Sequence, residues 1–201
     1  MVIDGIYYAL ALLAAGVVVS YFTWAWLGLP LYILAAFCLY FFRDPNREIP
    51  VGPVAVSPAD GKVVAIKQER PDWTRISVFL NIFDVHVNRS PIGGRIAAVD
   101  YRPGRFLVAS REQASSQNEQ NAVTVDGDGT RVVFKQIAGL IARRIVFRKK
   151  PGDEVRAGER VGLIKFGSRV DVFFGPEWEI AVKTGDRVSA GSSVLARRRG
   201  D

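Results

Sequence analysis

The chain has 201 residues, 49% of them hydrophobic, with 27 basic against 20 acidic side chains and a formal net charge of +7. That length holds one domain with a substantial core and leaves no room for two large ones. The single cysteine, Cys38, excludes an intrachain disulfide and a cysteine metal cluster, and the single histidine, His86, excludes every multi-histidine metal motif, so no metal site is read.

Gly5 to Phe42 carries no charged side chain over 38 positions, with Gly28 and Pro30 near the middle. A membrane span needs about 20 apolar residues. Gly5 to about Trp26 and Leu29 to Phe42 therefore read as a hairpin of two membrane helices, the second short, with one long or re-entrant segment as the alternative. A signal peptide fits poorly, because no basic residue precedes the apolar run and no small-x-small cleavage site follows it. Trp24, Trp26, Tyr32, Tyr40, Phe41 and Phe42 suit the two interfaces, and Arg43 and Arg47 place the following domain on the cytoplasmic face of the cell membrane. Residues 1–44 form the anchor and 45–201 the polar domain. Asp4 is the only charged side chain before Arg43, so the basic excess belongs to that polar part and favours an anionic membrane or nucleic acid.

From Val51 onward the pattern changes to short β-rich runs separated by Gly, Pro and Asp. Candidate strands are Val54–Val56, Gly61–Ile66, Arg75–Phe79, His86–Asn88, Arg95–Tyr101, Ala122–Val125, Arg131–Ile137, Val161–Phe166, Val170–Phe174 and Ser193–Ala196. Short helices fit only around Ile82 and at Leu140–Ile145. Ser110–Asn121 is a polar twelve-residue insertion, read as a binding or disordered loop.

Lys150-Pro-Gly-Asp-Glu-Val-Arg-Ala-Gly158 and Lys183-Thr-Gly-Asp-Arg-Val-Ser-Ala-Gly191 match at six positions with an offset of 33. Two turn units related by a pseudo-dyad follow. They resemble the half-motifs of lipoyl and biotinyl carrier domains, although the lysine such a carrier modifies is missing between the halves, where Phe166-Gly167-Ser168-Arg169 stands. The expected fold is mainly β: a barrel-sandwich-like domain of short strands behind an N-terminal hydrophobic helical hairpin.

Three residues could carry chemistry. Ser168 follows Gly167 between two apolar runs within Val161–Phe174, where a strand with a glycine bulge is the plain alternative. His86 lies in an alternating run that would also suit a satisfied core histidine, and Asp60 precedes Gly61 in a turn that its carboxylate could simply cap. Together they supply a nucleophile, a base and an orienting carboxylate in the chain order Asp, His, Ser.

SPADGKV, FDVHVNRSP, NEQNAV, IAGLIARRI and IKFGSRVDVF occur in this order behind FFRDPNR. Over nearly its whole length the chain resembles the phosphatidylserine decarboxylase family in its short membrane-anchored form, which includes archaetidylserine decarboxylases. The resemblance implies a proenzyme that cuts itself at Gly167-Ser168 into a β chain of residues 1–167 and an α chain of residues 168–201. Ser168, its proton taken by His86 and that imidazole oriented by Asp60, would attack the Gly167 carbonyl. Elimination would then turn Ser168 into a pyruvoyl cofactor that forms a Schiff base with the substrate amine, without pyridoxal phosphate.

The implied reaction converts phosphatidylserine, or archaetidylserine, to the ethanolamine lipid. His86 would be free after cleavage to donate a proton or orient the carboxylate. Some relatives carry a further histidine three positions before the one matching His86; this chain has Phe83. Phe83, Asn118 and Glu119 are the candidate substrate contacts. A second Gly-Ser bond, Gly191-Ser192, belongs to the repeated turn and is not the expected cleavage site. The α and β chains would remain together as a heterodimer, a homo-oligomer being left open.

The alternative from a different class is a non-enzymatic, membrane-tethered barrel-sandwich adaptor, which the repeated turns support and which would stay one chain. A nucleic-acid role ranks third and no such partner is expected, because the basic clusters lack interleaved aromatic residues and the membrane segment explains the charge more simply. Arg143, Arg144, Arg148, Lys149, Lys150 and Arg197 to Arg199 read either as solvated charge or as attraction to an anionic leaflet, at about 1 kcal/mol each.

Overall fold

The computed structural model describes residues 2–70, 72–109, 112–140, 144–165 and 168–200. Two units divide the chain, Met1–Asn46 and Arg47–Asp201.

In the first unit α1 (Ile3–Phe22) is followed by a 3₁₀ turn (Ala25–Gly28) and by α2 (Leu29–Phe41). Small residues let the two helices approach closely. A Cβ on Gly16 would lie 2.6 Å from the Tyr32 ring, and Ala9, Ala35 and Cys38 pack together beside Leu12. The outward faces, including Leu10, Val17, Val18 and Ile33, are apolar and exposed. Among the described residues α1 is the one helix long and apolar enough to cross a membrane. The 13 residues of α2 reach only about 20 Å, short of a hydrocarbon core of about 30 Å.

The second unit contains β1 (Val54–Val56), β2 (Gly61–Arg70), β3 (Trp73–Leu80), β4 (Val87–Arg89), β5 (Gly94–Arg102), the one-turn helix α3 (Ala114–Gln117), β6 (Gln120–Gly127) and β7 (Thr130–Ile137). It continues through β8 (Arg144–Phe147), β9 (Glu154–Val155), β10 (Arg160–Lys165), β11 (Ser168–Phe174), β12 (Trp178–Ile180), β13 (Arg187–Val188) and β14 (Val194–Arg198). The largest sheet runs β13-β2-β3-β11-β7-β6-β5-β9, and two small sheets run β1-β14-β12 and β4-β10-β8. The mainly β expectation holds. The alternation Val170, Val172, Phe174 on β11 is fully buried with Val78, Phe134 and Val123 from its neighbours, and Leu195 and Ile164 from the small sheets join the same core. Each such side chain contributes about 1.5–3 kcal/mol relative to exposure.

The pseudo-dyad extends further than the repeated turns. Ser57-Pro58 and Ser90-Pro91 share the offset of 33, and their segments exchange bonds, the Val56 amide donating to the Pro91 carbonyl and the Arg89 amide to the Pro58 carbonyl. The Gly158 and Gly191 amides donate to the Ser90 and Ser57 carbonyls, both at 2.8 Å. Gly61 and Gly94 take φ values of 145° and 147°, and a Cβ on either would lie 2.2 Å from a carbonyl oxygen of the neighbouring strand. The two halves differ where Asp60 in one stands against Gly93 in the other.

Three expectations are corrected. The Ile82 region is a turn, because the Asn81 Oδ1 accepts from the Phe83 amide (2.7 Å) and the Asp84 Oδ2 from the Asn81 amide (2.9 Å). Arg144 and Ile145 belong to β8, whose β-branched residues pair with β10, rather than to a helix. The polar insertion is ordered over its described residues, with α3 and a bridge from Arg105 to Asn118.

Candidate active site

Four strands of the large sheet reach one end of it together. Ser168, the first residue of β11, pairs with Leu80, the last of β3. Arg169 pairs with Ile137, the last of β7, which in turn pairs with Gln120, the first of β6. Ser168 is completely buried, and among the described residues its Oγ finds no hydrogen-bond partner. A buried hydroxyl without a partner costs about 1–3 kcal/mol, so a fold that keeps one invites a chemical reason.

His86 precedes β4, and the Ile164 amide donates to its carbonyl at 3.3 Å. The only imidazole is thereby set against β10, the strand that ends just before Gly167-Ser168. His86 is 2% exposed, and its Nδ1 lies 2.9 Å from the Asp84 carbonyl oxygen. A carbonyl only accepts, so Nδ1 carries the proton and Nε2 the lone pair of a base. Asp84 is itself fixed, its carboxylate accepting from the Asn81 amide and from Arg187 at 3.0 Å.

The Asp60 carboxylate accepts from Arg47 Nη2 at 2.8 Å and from the Ala190 amide at 2.7 Å. The neighbouring Pro58 carbonyl takes the Arg89 amide and Asn88 Nδ2, so the turn holding Asp60 lies along β4. Gly167 lies outside the described residues, as do Phe166 and Arg143.

The candidate substrate contacts part company. Phe83 is 60% exposed at the tip of the Asn81–Asp84 turn. Asn118 is buried and spent on the backbone: its Oδ1 accepts from the Leu107 amide, and its Nδ2 donates to the Leu107 and Ala138 carbonyls. That carboxamide holds the 105–118 loop against the end of β7. Glu119 is half-buried, and its amide donates to the Arg105 carbonyl at 3.0 Å.

Two buried polar networks back the site, and neither was singled out from the sequence. Asn121 Nδ2 donates to Gln136 Oε1 (3.1 Å) and Gln136 Nε2 to Asn88 Oδ1 (2.9 Å), joining β6, β7 and β4. Beyond Ser168, Arg169 binds Asp171 (2.6 Å) and Ser77 (2.6 Å), and Asp171 also accepts from Ser115 (2.6 Å) and Arg75 (3.3 Å). Arg75 binds Glu112 as well. This network pins the Glu112–Gln117 segment across the strand that begins with Ser168. Arg169 and Asp171, two apart on one strand, could have signalled a shared polar face, but their burial depends on a distant loop.

Comparison with known proteins accords with these features. A model of the phosphatidylserine decarboxylase family matches residues 34–196. A phosphatidylserine decarboxylase proenzyme of Solibacter usitatus is 68% identical over 98% of this chain and 97% of its own length. Proenzymes of the same name from Ruegeria pomeroyi and Magnetococcus marinus are 46% and 43% identical, over 91% and 88% of this chain and 89% and 86% of their own lengths. The chain therefore belongs to the phosphatidylserine decarboxylase family.

Proposed function

We propose that this protein is a membrane-anchored, self-processing lyase that decarboxylates phosphatidylserine to the ethanolamine phospholipid with a pyruvoyl group made from Ser168. The observation that carries the reading is the fully buried Ser168 Oγ, without a partner among the described residues, at the start of β11. Family membership supplies the reaction class, and α1 the means of anchoring.

In the proposed maturation His86 Nε2 takes the Ser168 hydroxyl proton, and Oγ forms a bond to the Gly167 carbonyl carbon. The Gly167-Ser168 C–N bond breaks, its nitrogen receiving the proton, which leaves an ester. Removal of the Ser168 Cα proton then expels the Gly167 carboxylate. Water enters and ammonia leaves, so the α chain begins with a pyruvoyl group. Asp60, held by Arg47 and the Ala190 amide, acts as a positioning residue that favours the imidazolium formed on the way.

The residues fit such a group: the β11 backbone that would bear it is paired on both sides by β3 and β7 and anchored by Arg169 and Asp171. The group supplies an electron sink for the pair released when CO2 departs. This chain's residues do the rest. The buried surroundings of Ser168 exclude water, which favours loss of the substrate's charge, and His86, its Nδ1 held by the Asp84 carbonyl, is the residue assigned to supply a proton.

The test is conversion of phosphatidylserine to phosphatidylethanolamine in mixed micelles by the purified protein. Activity abolished by a carbonyl reagent and absent from Ser168→Ala is expected. Activity that persists in Ser168→Ala would overturn the proposal.

A further inference from the structure

The exposed large apolar side chains of the second unit are not scattered. Among the described residues they are Val51, Ile82, Phe83, Tyr101, Val108 and Leu140. All but Val51 lie at the end of the large sheet where Ser168 begins β11. Ile82 and Phe83 follow Leu80, the partner of Ser168, and Leu140 follows the end of β7. Tyr101 pairs with Asn121 at the start of β6. Val108 lies on the loop that Asn118 ties to Ala138. From β3 to β5 this rim extends across four strand spacings, about 20 Å.

Cations accompany the rim. Arg102 and Arg105 are exposed beside Tyr101 and Val108, and Arg144, exposed at the start of β8, follows Leu140 by four residues. Of the acidic side chains there, Asp100 pairs with Arg102 and Glu119 is half-buried. Five clustered apolar side chains with basic neighbours form a surface that water solvates poorly and that an anionic lipid interface solvates well.

We propose that this rim seats in the headgroup and acyl boundary of an anionic bilayer, so that a lipid headgroup reaches Ser168 while its acyl chains stay in the membrane. The proposal rests on the reading of the chain as a phospholipid decarboxylase. It assigns Ile82, Phe83, Val108 and Leu140 to membrane contact, in addition to the apolar hairpin. Tyr101, apolar in body and polar at its tip, suits the same depth.

The test uses the full chain in a Cys38→Ser background, with an environment-sensitive dye on Leu140→Cys. The control is Arg95→Cys, at the opposite end of β5. On vesicles of phosphatidylglycerol and phosphatidylcholine with brominated acyl chains, the Leu140 dye shifts to the blue and is quenched, and the Arg95 dye is not. Equal behaviour of the two dyes overturns the proposal. In a second arm, Val108→Asn/Leu140→Asn lowers kcat/KM about tenfold on long-chain phosphatidylserine in vesicles and leaves turnover of monomeric short-chain phosphatidylserine unchanged. An equal loss on both substrates, or none on vesicles, contradicts it. If the unsubstituted protein turns over neither lipid, the decarboxylase reading falls, while the dye depth still decides whether the rim enters the bilayer.

Discussion

The Ile164 amide donates to the His86 carbonyl at 3.3 Å, which sets the chain's only histidine against the strand that runs into Gly167-Ser168. The same histidine is held at Nδ1 by the Asp84 carbonyl. One residue is thus located by its backbone and oriented through its ring. Replacing it with alanine removes the base and leaves the β4–β10 pairing in place. His86→Ala slows chain cleavage about 10²–10⁴-fold, read from the time course of the two fragments on a denaturing gel. Cleavage at the unsubstituted rate would remove His86 from the maturation step.

Asp60→Asn keeps an acceptor for the Ala190 amide and removes the charge facing Arg47. Slower cleavage with little change in the denaturation midpoint is expected, because one partly exposed ion pair contributes at most about 1 kcal/mol. Unimpaired cleavage would make Asp60 the capping residue of an ordinary turn.

Asp171 receives Arg169, Arg75 and Ser115 in a completely buried position. Asp171→Ala takes from buried Arg169 its nearest carboxylate and leaves Arg75 with Glu69 and Glu112, at a cost of about 3 kcal/mol, measurable by chemical denaturation in detergent. A loss below about 1 kcal/mol would mean that the network relaxes or hydrates.

Burial pushes the Glu112 carboxyl up, but the hydrogen bond and charge of Arg75, with Lys67 and Arg169, outweigh it and hold the group below the ordinary glutamate range. A depressed carboxylate contributes stability that is present above its unfolded pKa and is lost as pH falls through the folded value. The denaturation midpoint of the unsubstituted protein therefore falls more steeply than that of Glu112→Gln as pH drops into and below the ordinary glutamate range. Parallel curves would contradict the assignment.

Much of this architecture was legible in the residues. Short β-rich runs between Gly, Pro and Asp located β3, β5, β7 and β11, of which β7 alternates buried and half-buried side chains and β11 is buried on both faces. Strands of two to four residues, β8, β9, β12 and β13, were missed, since pairing with a partner rather than any local pattern defines them. The repeated turns announced the pseudo-dyad, whereas its Ser-Pro counterpart went unseen because two residues and a glycine are too few to stand out. Ser168, His86 and Asp60 were named from spacing and resemblance. The Asp84 carbonyl could not be, because a main-chain acceptor has no signature in sequence. The burial of Arg169 and Asp171 has no local signature, because the Glu112–Gln117 segment that covers them lies more than 50 residues away.

The central claim is that Ser168 cuts the chain and becomes the pyruvoyl group, and intact mass in denaturant tests it most directly, with Ser168→Ala as the reference. The account predicts two chains, residues 1–167 and 168–201, the smaller lighter by one ammonia than a serine-initiated chain and resistant to Edman degradation. A single uncut chain that persists on anionic lipid and matches the Ser168→Ala protein apart from the substituted oxygen would contradict it.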